Sequence, residues 1–124
     1  MKFYVAGKWE EREQVRQLQD ELRRLGHTIT VDWTWHEFED GGYPVQYAQE
    51  DVFGAATCDA YVGRFVNPNS YKGALVEMGV ALGLGKKVFV IGHAIDTCIF
   101  VSHPLVTRCS NTKKFFEELR NKDA

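Results

Sequence analysis

Residues 60–91 read AYVGRFVNPNSYKGALVEMGVALGLGKKVFVI, and this stretch decides the fold. The apolar run 60–66 predicts a strand, and the Asn- and Pro-containing segment 67–70 ends it. Residues 73–84 are nearly all apolar and predict a helix, and residues 88–91 predict the next strand. A strand, a helix and a strand in this order form a right-handed unit of a parallel sheet.

The same alternation precedes this stretch. Residues 2–6 predict a short buried strand. Residues 10–25 predict an amphipathic helix, because Val15, Leu18 and Leu22 recur at helical spacing. The β-branched run 28–31 predicts a second strand.

The rest of the chain continues the pattern. Pro44 fits the first turn of a helix that runs to about Ala56, and residues 113–120 predict a terminal helix. Residues 98–107 fit either a short fifth strand or a loop, and Pro104 argues against a long central strand. We therefore predict one α/β domain over residues 1–124, a flavodoxin- or Rossmann-like three-layer sandwich whose mostly parallel sheet has four to five strands.

The composition agrees with one globular domain. The 124 residues are 44% hydrophobic and 26% charged, which is ordinary globular usage. There are 15 Lys and Arg against 17 Asp and Glu, a net charge of −2. Since a basic excess is absent, polymeric nucleic acid is a poor candidate partner, whereas a single nucleotide needs only one or two local cations.

Cysteine usage and hydropathy indicate a cytoplasmic protein. The three cysteines are odd in number and form no CxxC pair, which argues against a disulfide framework or a tetrahedral zinc site. We expect reduced thiols, no signal peptide and no membrane span. The four histidines are scattered and read as surface or loop residues, and Walker or GxGxxG phosphate loops are absent. We accordingly expect neither a metal nor a cofactor.

In such sheets the ligand lies beyond the carboxyl ends of the strands, where the strand order reverses. The predicted elements bring four segments there: residues 7–9, the loop 32–43, residues 67–73 and the chain from Gly92 onward. The loop is rich in aromatic residues and has neither helical nor strand period, as functional loops and lids often do.

Glu77 does not fit its helix. It is the one residue of 73–84 that is neither apolar nor glycine. We expect this helix to be mostly buried, and a buried carboxylate needs a partner or a chemical task. Gly73, one turn earlier on the same face, leaves space for a small molecule. Exposure of Glu77 on an outer strip remains the structural alternative, and the glycines at 79 and 83 are best read as close packing contacts.

Asp51 is a candidate second carboxylate, in the helix before the third strand. Two carboxyls at one site suit glycosidic chemistry, in which one attacks the anomeric carbon and the other handles the proton of the leaving group. A solvated helix face is the alternative for Asp51.

Four motifs in order resemble the nucleoside 2-deoxyribosyltransferase superfamily, which includes deoxyribosyltransferases and deoxynucleoside 5′-monophosphate N-hydrolases. They span most of the chain and are the opening strand FYVAGKW, the Glu50-Asp51 helix that leads into ATCDA, the segment GALVEMG with the pattern Gly-x-x-x-Glu-x-Gly, and the turn GKKV.

The resemblance implies cleavage of an N-glycosidic bond. Glu77 would be the nucleophile that forms a glycosyl ester, Asp51 would contact the base and move its proton, and Tyr4 would orient Glu77. The implied activity is transfer of 2-deoxyribose to another base. The alternatives are a nucleoside 5′-monophosphate hydrolase and a non-catalytic nucleotide-binding module.

The substrate-binding residues follow from the same segments. They are Gly7, Lys8, Trp9, Trp33, Trp35, Ser70, Tyr71 and Gly73. Trp33 and Trp35 could stack on the base or pack in the core and lid. This chain departs from the family pattern at Tyr71, where transferases carry an acid and monophosphate hydrolases a serine. Ser70, one residue earlier, and the cations Lys8 and Lys72 could hold a phosphate instead.

The resemblance also implies a homodimer or a higher homo-oligomer with shared active sites. The segment Cys98-Ile99-Phe100-Val101-Ser102-His103 matches the region that completes the partner's site. A flavodoxin-like redox or signalling domain is disfavoured, because the loop after the first strand lacks a Ser/Thr-rich phosphate nest.

Overall fold

The structure, a computed structural model, describes residues 1–37, 45–68 and 70–123. The helices and strands follow one another as β1 (Lys2–Ala6), α1 (Arg12–Arg24), β2 (Thr28–Ile29), α2 (Val45–Thr57), β3 (Ala60–Arg64), α3 (Lys72–Gly83), β4 (Lys87–Ile91), β5 (Val106–Cys109) and α4 (Thr112–Asp123). Three 3-10 turns lie at Trp9–Glu11, Trp33–Trp35 and Ile99–Ser102. Pro44, where a helix start was predicted, lies outside the described residues.

The sheet is parallel in all its pairings, in the order β2-β1-β3-β4-β5. This confirms the predicted three-layer α/β fold. The strand order reverses between β1 and β3. From β1 the chain adds β2 on one side of the sheet, and it then adds β3, β4 and β5 in turn on the other side. The carboxyl ends of these two strands therefore form the expected ligand crevice.

Side chains of β1 alternate between the two layers of helices. Phe3 meets Phe115 of α4 edge to face, with ring centroids 6.3 Å apart. The next residue, Tyr4, points to the opposite layer, where it contacts α2 and α3. The ring of Tyr61 on β3 stacks beside it at 6.3 Å. The layer of α2 and α3 is thus the one that faces the crevice.

The structure shortens the predicted second strand and resolves the ambiguous region before the terminal helix. β2 ends at Ile29, because the Thr30 hydroxyl donates to the carbonyl oxygen of Gly54 at 2.9 Å and turns the chain toward α2. The ambiguous region 98–107 contains a 3-10 turn and the start of β5, so the short fifth strand exists at the edge of the sheet.

The expectation that the Glu77 helix is mostly buried is wrong for its outer side. Val76 is 62% exposed on α3. A Cβ atom added at Gly79 or Gly83 would meet no atom within 4 Å, so these glycines make no close packing contact within the chain. Part of the apolar surface of α3 is therefore not covered by the other described residues of this chain.

Within the described ranges, helices long and apolar enough to cross a membrane are absent. All three cysteines lie in those ranges, and none of them forms a disulfide.

Candidate active site

A cavity of about 570 Å³ opens at the crevice beyond β1 and β3. Its size is that of an ordinary small-molecule site. The loop after β1, the turn after β2, one face of α2 and the start of α3 line it. Every site residue predicted from the sequence lines this cavity except Tyr4 and Trp35.

Glu77 is held by Tyr4 from behind the cavity wall. The Tyr4 hydroxyl donates a hydrogen bond of 2.7 Å to Glu77 Oε2. Tyr4 is fully buried, and burial raises the pKa of its hydroxyl well above the ordinary value, so it stays a donor. The hydrogen bond that the resemblance implied is therefore present, and it fixes the direction of the carboxyl group.

The environment of Glu77 opposes its ionisation. Burial raises its pKa to about 8, the nearby Asp51 carboxylate adds to the rise, and the Tyr4 hydrogen bond acts in the opposite direction. A carboxyl with a strongly raised pKa in a cavity is typical of a catalytic group. The Tyr4 bond is the feature that favours the anionic, nucleophilic form.

Asp51 faces the same cavity from α2. Burial raises its pKa to about 7, and the neighbouring carboxylate of Glu50 contributes. Its Oδ1 atom is buried and has no hydrogen-bond partner among the described residues. Asp51 is therefore suited to carry a proton near neutral pH.

The two carboxyls influence each other's charge. The Asp51 carboxylate raises the pKa of Glu77, and between the pKa of about 7 for Asp51 and that of about 8 for Glu77 the pair holds one proton and one negative charge. In the empty site the higher pKa of Glu77 keeps this proton on Glu77. The hydrogen bond from Tyr4 lowers the pKa of Glu77 and so stabilises the other form of the pair, with the anion on Glu77 and the proton on Asp51. One carboxylate and one carboxylic acid form the pair that glycosidic cleavage requires.

The amino end of α3 makes a second, electropositive end of the cavity. Tyr71 is the N-cap residue and its side chain does not cap the helix. The open backbone N–H groups of the first turn and the helix dipole favour an anion there. Ser70 and Lys72 flank this N-cap residue, and Lys8 lines the same cavity. Nothing lies within 4 Å of a Cβ built at Gly73, so the space in front of the helix is open.

A buried ion-pair network holds this end in place, and the sequence did not reveal it. Glu11 pairs with Arg64 at 3.1 Å and accepts hydrogen bonds from the Tyr71 hydroxyl at 3.0 Å and from the Asn67 amide. Glu11 and Arg64 lie 53 positions apart, so only the fold brings them together. The Tyr71 hydroxyl thus serves the loop and does not replace the acid that transferases carry at this position.

The tryptophans divide between the cavity and the surface. Trp33 is buried and its Nε1 donates to the Val5 carbonyl oxygen at 2.7 Å, so the indole is fixed as a cavity wall. Trp35 is 68% exposed, and the guanidinium of Arg16 lies 3.5 Å above its ring. Stacking on a base in this cavity is therefore open to Trp33 and Trp9, and Trp35 lies outside the lining.

His36 also lines the cavity, although its sequence context indicated only a loop histidine. Spacing offers no signal for it, because its carboxylate neighbours Glu50 and Asp51 lie on another element. Within the parts of the chain that the structure describes, groups of three or more His, Cys, Asp or Glu arranged to hold a metal are absent.

Comparison with known proteins shows which solved structures share this fold. No family model matches the sequence, and no curated protein matches it. Among solved structures, the Clostridium botulinum CMP N-glycosidase BcmB has a TM-score of 0.67 at 18% identity, with 98% of this chain and 99% of that chain covered. A conserved Enterococcus faecalis V583 protein has a TM-score of 0.71 at 15% identity, with 98% of each chain covered. The chain therefore shares, over nearly its whole length, the fold of a CMP N-glycosidase.

Proposed function

We propose that this protein cleaves the N-glycosidic bond of a nucleoside 5′-monophosphate by way of a covalent glycosyl ester on Glu77. The observation that carries the proposal is the Tyr4–Glu77 hydrogen bond beside a second carboxyl, Asp51, which lines the same cavity as Glu77. A purely binding site has no need of a carboxyl held in this way.

In the first half-reaction the Glu77 carboxylate attacks C1′ of the sugar. The bond between C1′ and the base nitrogen breaks, and its electron pair leaves with the base. Asp51 gives its proton to the base, so that the base departs neutral. Tyr4 keeps the attacking carboxylate in one direction throughout.

In the second half-reaction water attacks C1′ of the glycosyl ester. Asp51, now a carboxylate, takes the proton of that water, and the ester bond breaks to restore the Glu77 carboxylate. The proton released to the base is thereby replaced, and both carboxyls return to their starting states.

The electropositive end of the cavity supports a phosphorylated substrate. A 5′-phosphate in front of α3 would meet the helix N-terminus, Ser70 and the ammonium groups of Lys8 and Lys72. The structural likeness to a CMP N-glycosidase supports the same choice. We place this reaction in cytoplasmic nucleotide salvage, where thiols outside disulfides persist.

Transfer of 2-deoxyribose to another base is the second candidate. It shares the first half-reaction and differs in that a second base, not water, captures the glycosyl ester. Full burial of Tyr4 and the raised pKa of Glu77 favour it, because a site poor in water gives a second base time to bind.

The proposal also includes a homodimer. Val52 and Phe53 on α2 and Val76 on α3 are 45%, 62% and 62% exposed, and Val52 and Val76 line the cavity as well. The apolar surface is therefore continuous with the site, and a second copy of the chain is the proposed cover. Ile99 and Phe100, 77% and 60% exposed, are the proposed segment that reaches the partner's site.

The test is a chromatographic screen of purified protein with ribo- and deoxyribonucleosides and their 5′-monophosphates, each with and without a second free base. Release of free base from a monophosphate supports the hydrolase. A new nucleoside that forms only with the second base indicates the transferase. Binding without any product indicates a binding module and overturns the proposal.

The matched variant is Glu77→Gln, which keeps the size of the side chain and an acceptor for Tyr4. We expect base release to fall by about three orders of magnitude or more. Near-normal turnover by this variant would remove Glu77 from the mechanism. Sedimentation of wild type and Phe53→Lys tests the dimer: a monomeric wild type would contradict it.

A further inference from the structure

His36 lies between two carboxylates at the wall of the cavity. Its Nε2 is 3.4 Å from Glu50 Oε2, and its Nδ1 is 4.0 Å from Asp51 Oδ1. The His36 side chain is only 11% exposed. The Asp51 oxygen that it faces is the buried one without a hydrogen-bond partner among the described residues.

The imidazole ring is held in this direction by α2. It stacks on the Tyr47 ring, with centroids 3.9 Å apart and planes 7° from parallel. The Tyr47 hydroxyl in turn accepts a hydrogen bond of 3.1 Å from the backbone N–H of Glu37. Tyr47, Glu50 and Asp51 share one face of α2 through their spacing of three and four residues. The ring therefore cannot turn away without loss of the stack.

The charges around His36 define its protonation. Among the described residues, Glu50, Asp51 and Asp32 are the charged groups that act on the ring, and Asp51 in turn raises the pKa of Glu77 and of Tyr4. Burial lowers the pKa of His36, and the Glu50 and Asp32 carboxylates only partly offset this. A neutral imidazole carries one N–H. On Nε2 that hydrogen faces Glu50, whose side chain is 44% exposed and can turn to water, whereas on Nδ1 it faces the buried Asp51 oxygen, which has no other donor among the described residues.

We propose that His36 is the positioning residue for the acid of this reaction, and that its Nδ1–H holds Asp51 Oδ1 so that the other carboxyl oxygen faces the leaving base. The inference rests on the proposed function. Closure of the 4.0 Å gap by about 1 Å on substrate binding forms the hydrogen bond, since catalytic contacts are often long in an empty site. His36 itself gains and loses no proton.

The consequence appears when the base departs. Asp51 gives its proton to the base nitrogen and becomes a buried carboxylate beside the glycosyl ester. The Nδ1–H of His36 then supplies the hydrogen bond that Oδ1 lacks in the empty site. His36 is therefore needed most with bases that leave only after protonation.

The experiment compares two substrates with the same sugar and phosphate. One carries the base that the screen identifies, and the other carries a base that leaves without a proton, an N7-methylated purine or 5-nitrouracil to match the preferred class. His36→Phe keeps a ring to stack on Tyr47 and removes both nitrogens. His36→Asn restores a donor near the position of Nδ1.

For the ordinary base we expect His36→Phe to lower kcat by about 20- to 100-fold, within the range of acid catalysis. For the activated base we expect a loss below about 3-fold, and KM within about 2-fold for both. His36→Asn should recover at least about 5-fold of the lost kcat. The basic limb of the pH profile should move to higher pH in His36→Phe, because loss of the Nδ1–H donor raises the pKa of Asp51.

The matched control is His93→Phe, since His93 also pairs with an aspartate, Asp96 at 3.0 Å, but on the surface. It should change neither substrate's kcat. Equal losses of His36→Phe on both substrates, or no loss, would overturn the positioning role while the proposed function stands. If the wild type cleaves neither substrate, the proposed function fails and this role fails with it.

Discussion

The Cα of Gly54 faces the ring of Tyr4 so closely that a methyl group at residue 54 would lie 2.7 Å from Tyr4 Cδ1 and 2.9 Å from Val31 Cβ. A real Cβ contact is never this short. The absence of a side chain at residue 54 therefore allows α2 to approach β1, and this approach fixes the ring that orients Glu77.

Gly54→Ala should disturb both stability and chemistry. Ala gains up to about 1 kcal/mol in helix propensity, but overpacking of a buried ring costs about 1–3 kcal/mol. We expect a net loss in the free energy of unfolding, and a kcat at least about 10-fold lower because the Tyr4 hydroxyl moves from Glu77. Urea unfolding and steady-state kinetics measure both.

The control for Gly54→Ala is Gly79→Ala, in the middle of α3, where an added Cβ meets no atom within 4 Å. It should leave stability unchanged or raise it by up to about 1 kcal/mol. If the two variants had the same unfolding free energy and the same kcat, the close contact of residue 54 with Tyr4 would matter neither for stability nor for the orientation of Glu77.

The pH profile of kcat/KM should be bell-shaped. The pKa values of about 7 for Asp51 and about 8 for Glu77 bound the range in which the pair holds one proton. Below it the nucleophile is protonated, and above it the acid is lost, so kcat/KM should peak between these values. In Asp51→Asn the basic limb should disappear. A flat profile from pH 6 to 9 would contradict the shared proton.

Stability should fall as pH rises. Burial raises the folded-state pKa of Glu77 from 4.5 to about 8, so ionisation above pH 4.5 favours the unfolded chain until pH exceeds the folded value. One pKa unit corresponds to about 1.4 kcal/mol. Between pH 5 and pH 8 the wild type should lose at least about 1 kcal/mol more than Glu77→Gln, as measured by urea unfolding. Parallel losses would mean that Glu77 is well solvated.

Glu11→Gln should weaken the phosphate end of the cavity. The change keeps the size but leaves the Arg64 guanidinium, which is 17% exposed, without its carboxylate. We expect a loss of about 1–3 kcal/mol in unfolding free energy and a raised KM, because an amide nitrogen replaces one of the two oxygens that accept from Tyr71 and Asn67. Denaturation and kinetics measure these.

Glu21→Gln is the control for Glu11→Gln. Its ion pair with Arg24 is of the same type but lies on the surface of α1, with side chains 39% and 68% exposed. Its removal should cost much less stability than Glu11→Gln does, because water screens the exposed pair, and it should leave KM unchanged. If both variants lost the same unfolding free energy, water would screen the Glu11 network as fully as it screens the surface pair.

Lys8→Ala and Lys72→Ala should raise KM for a 5′-monophosphate by about 10-fold and leave the KM of the matching nucleoside within about 2-fold. The control is Lys113→Ala, which is exposed on α4. Equal changes for nucleoside and nucleotide would argue against a phosphate at this end.

The sequence predicted those features that depend on neighbours along the chain. Alternating apolar runs placed the strands of the sheet, and Glu77 stood out because its own helix is otherwise apolar. Tyr4 entered only through the resemblance, since nothing in its strand distinguishes it from a core tyrosine.

The features that escaped prediction depend on contacts across the fold. Glu11 meets Tyr71 across 60 positions, and the approach of His36 to Asp51 depends on how the turn after β2 lies on α2. The sequence did not show which of Trp33 and Trp35 lines the cavity, because both residues occur in one irregular segment. Which ring turns inward follows from the Nε1 bond of Trp33 to β1.

The open space at Gly73 has an evolutionary consequence. A side chain at this position would project into the cavity without a clash, one turn from Glu77 and at the amino end of the helix. A single substitution there could narrow the range of accepted sugars while the carboxyl pair and the sheet remain untouched. One substitution at position 73 can thus change which substrate is preferred before any catalytic residue changes.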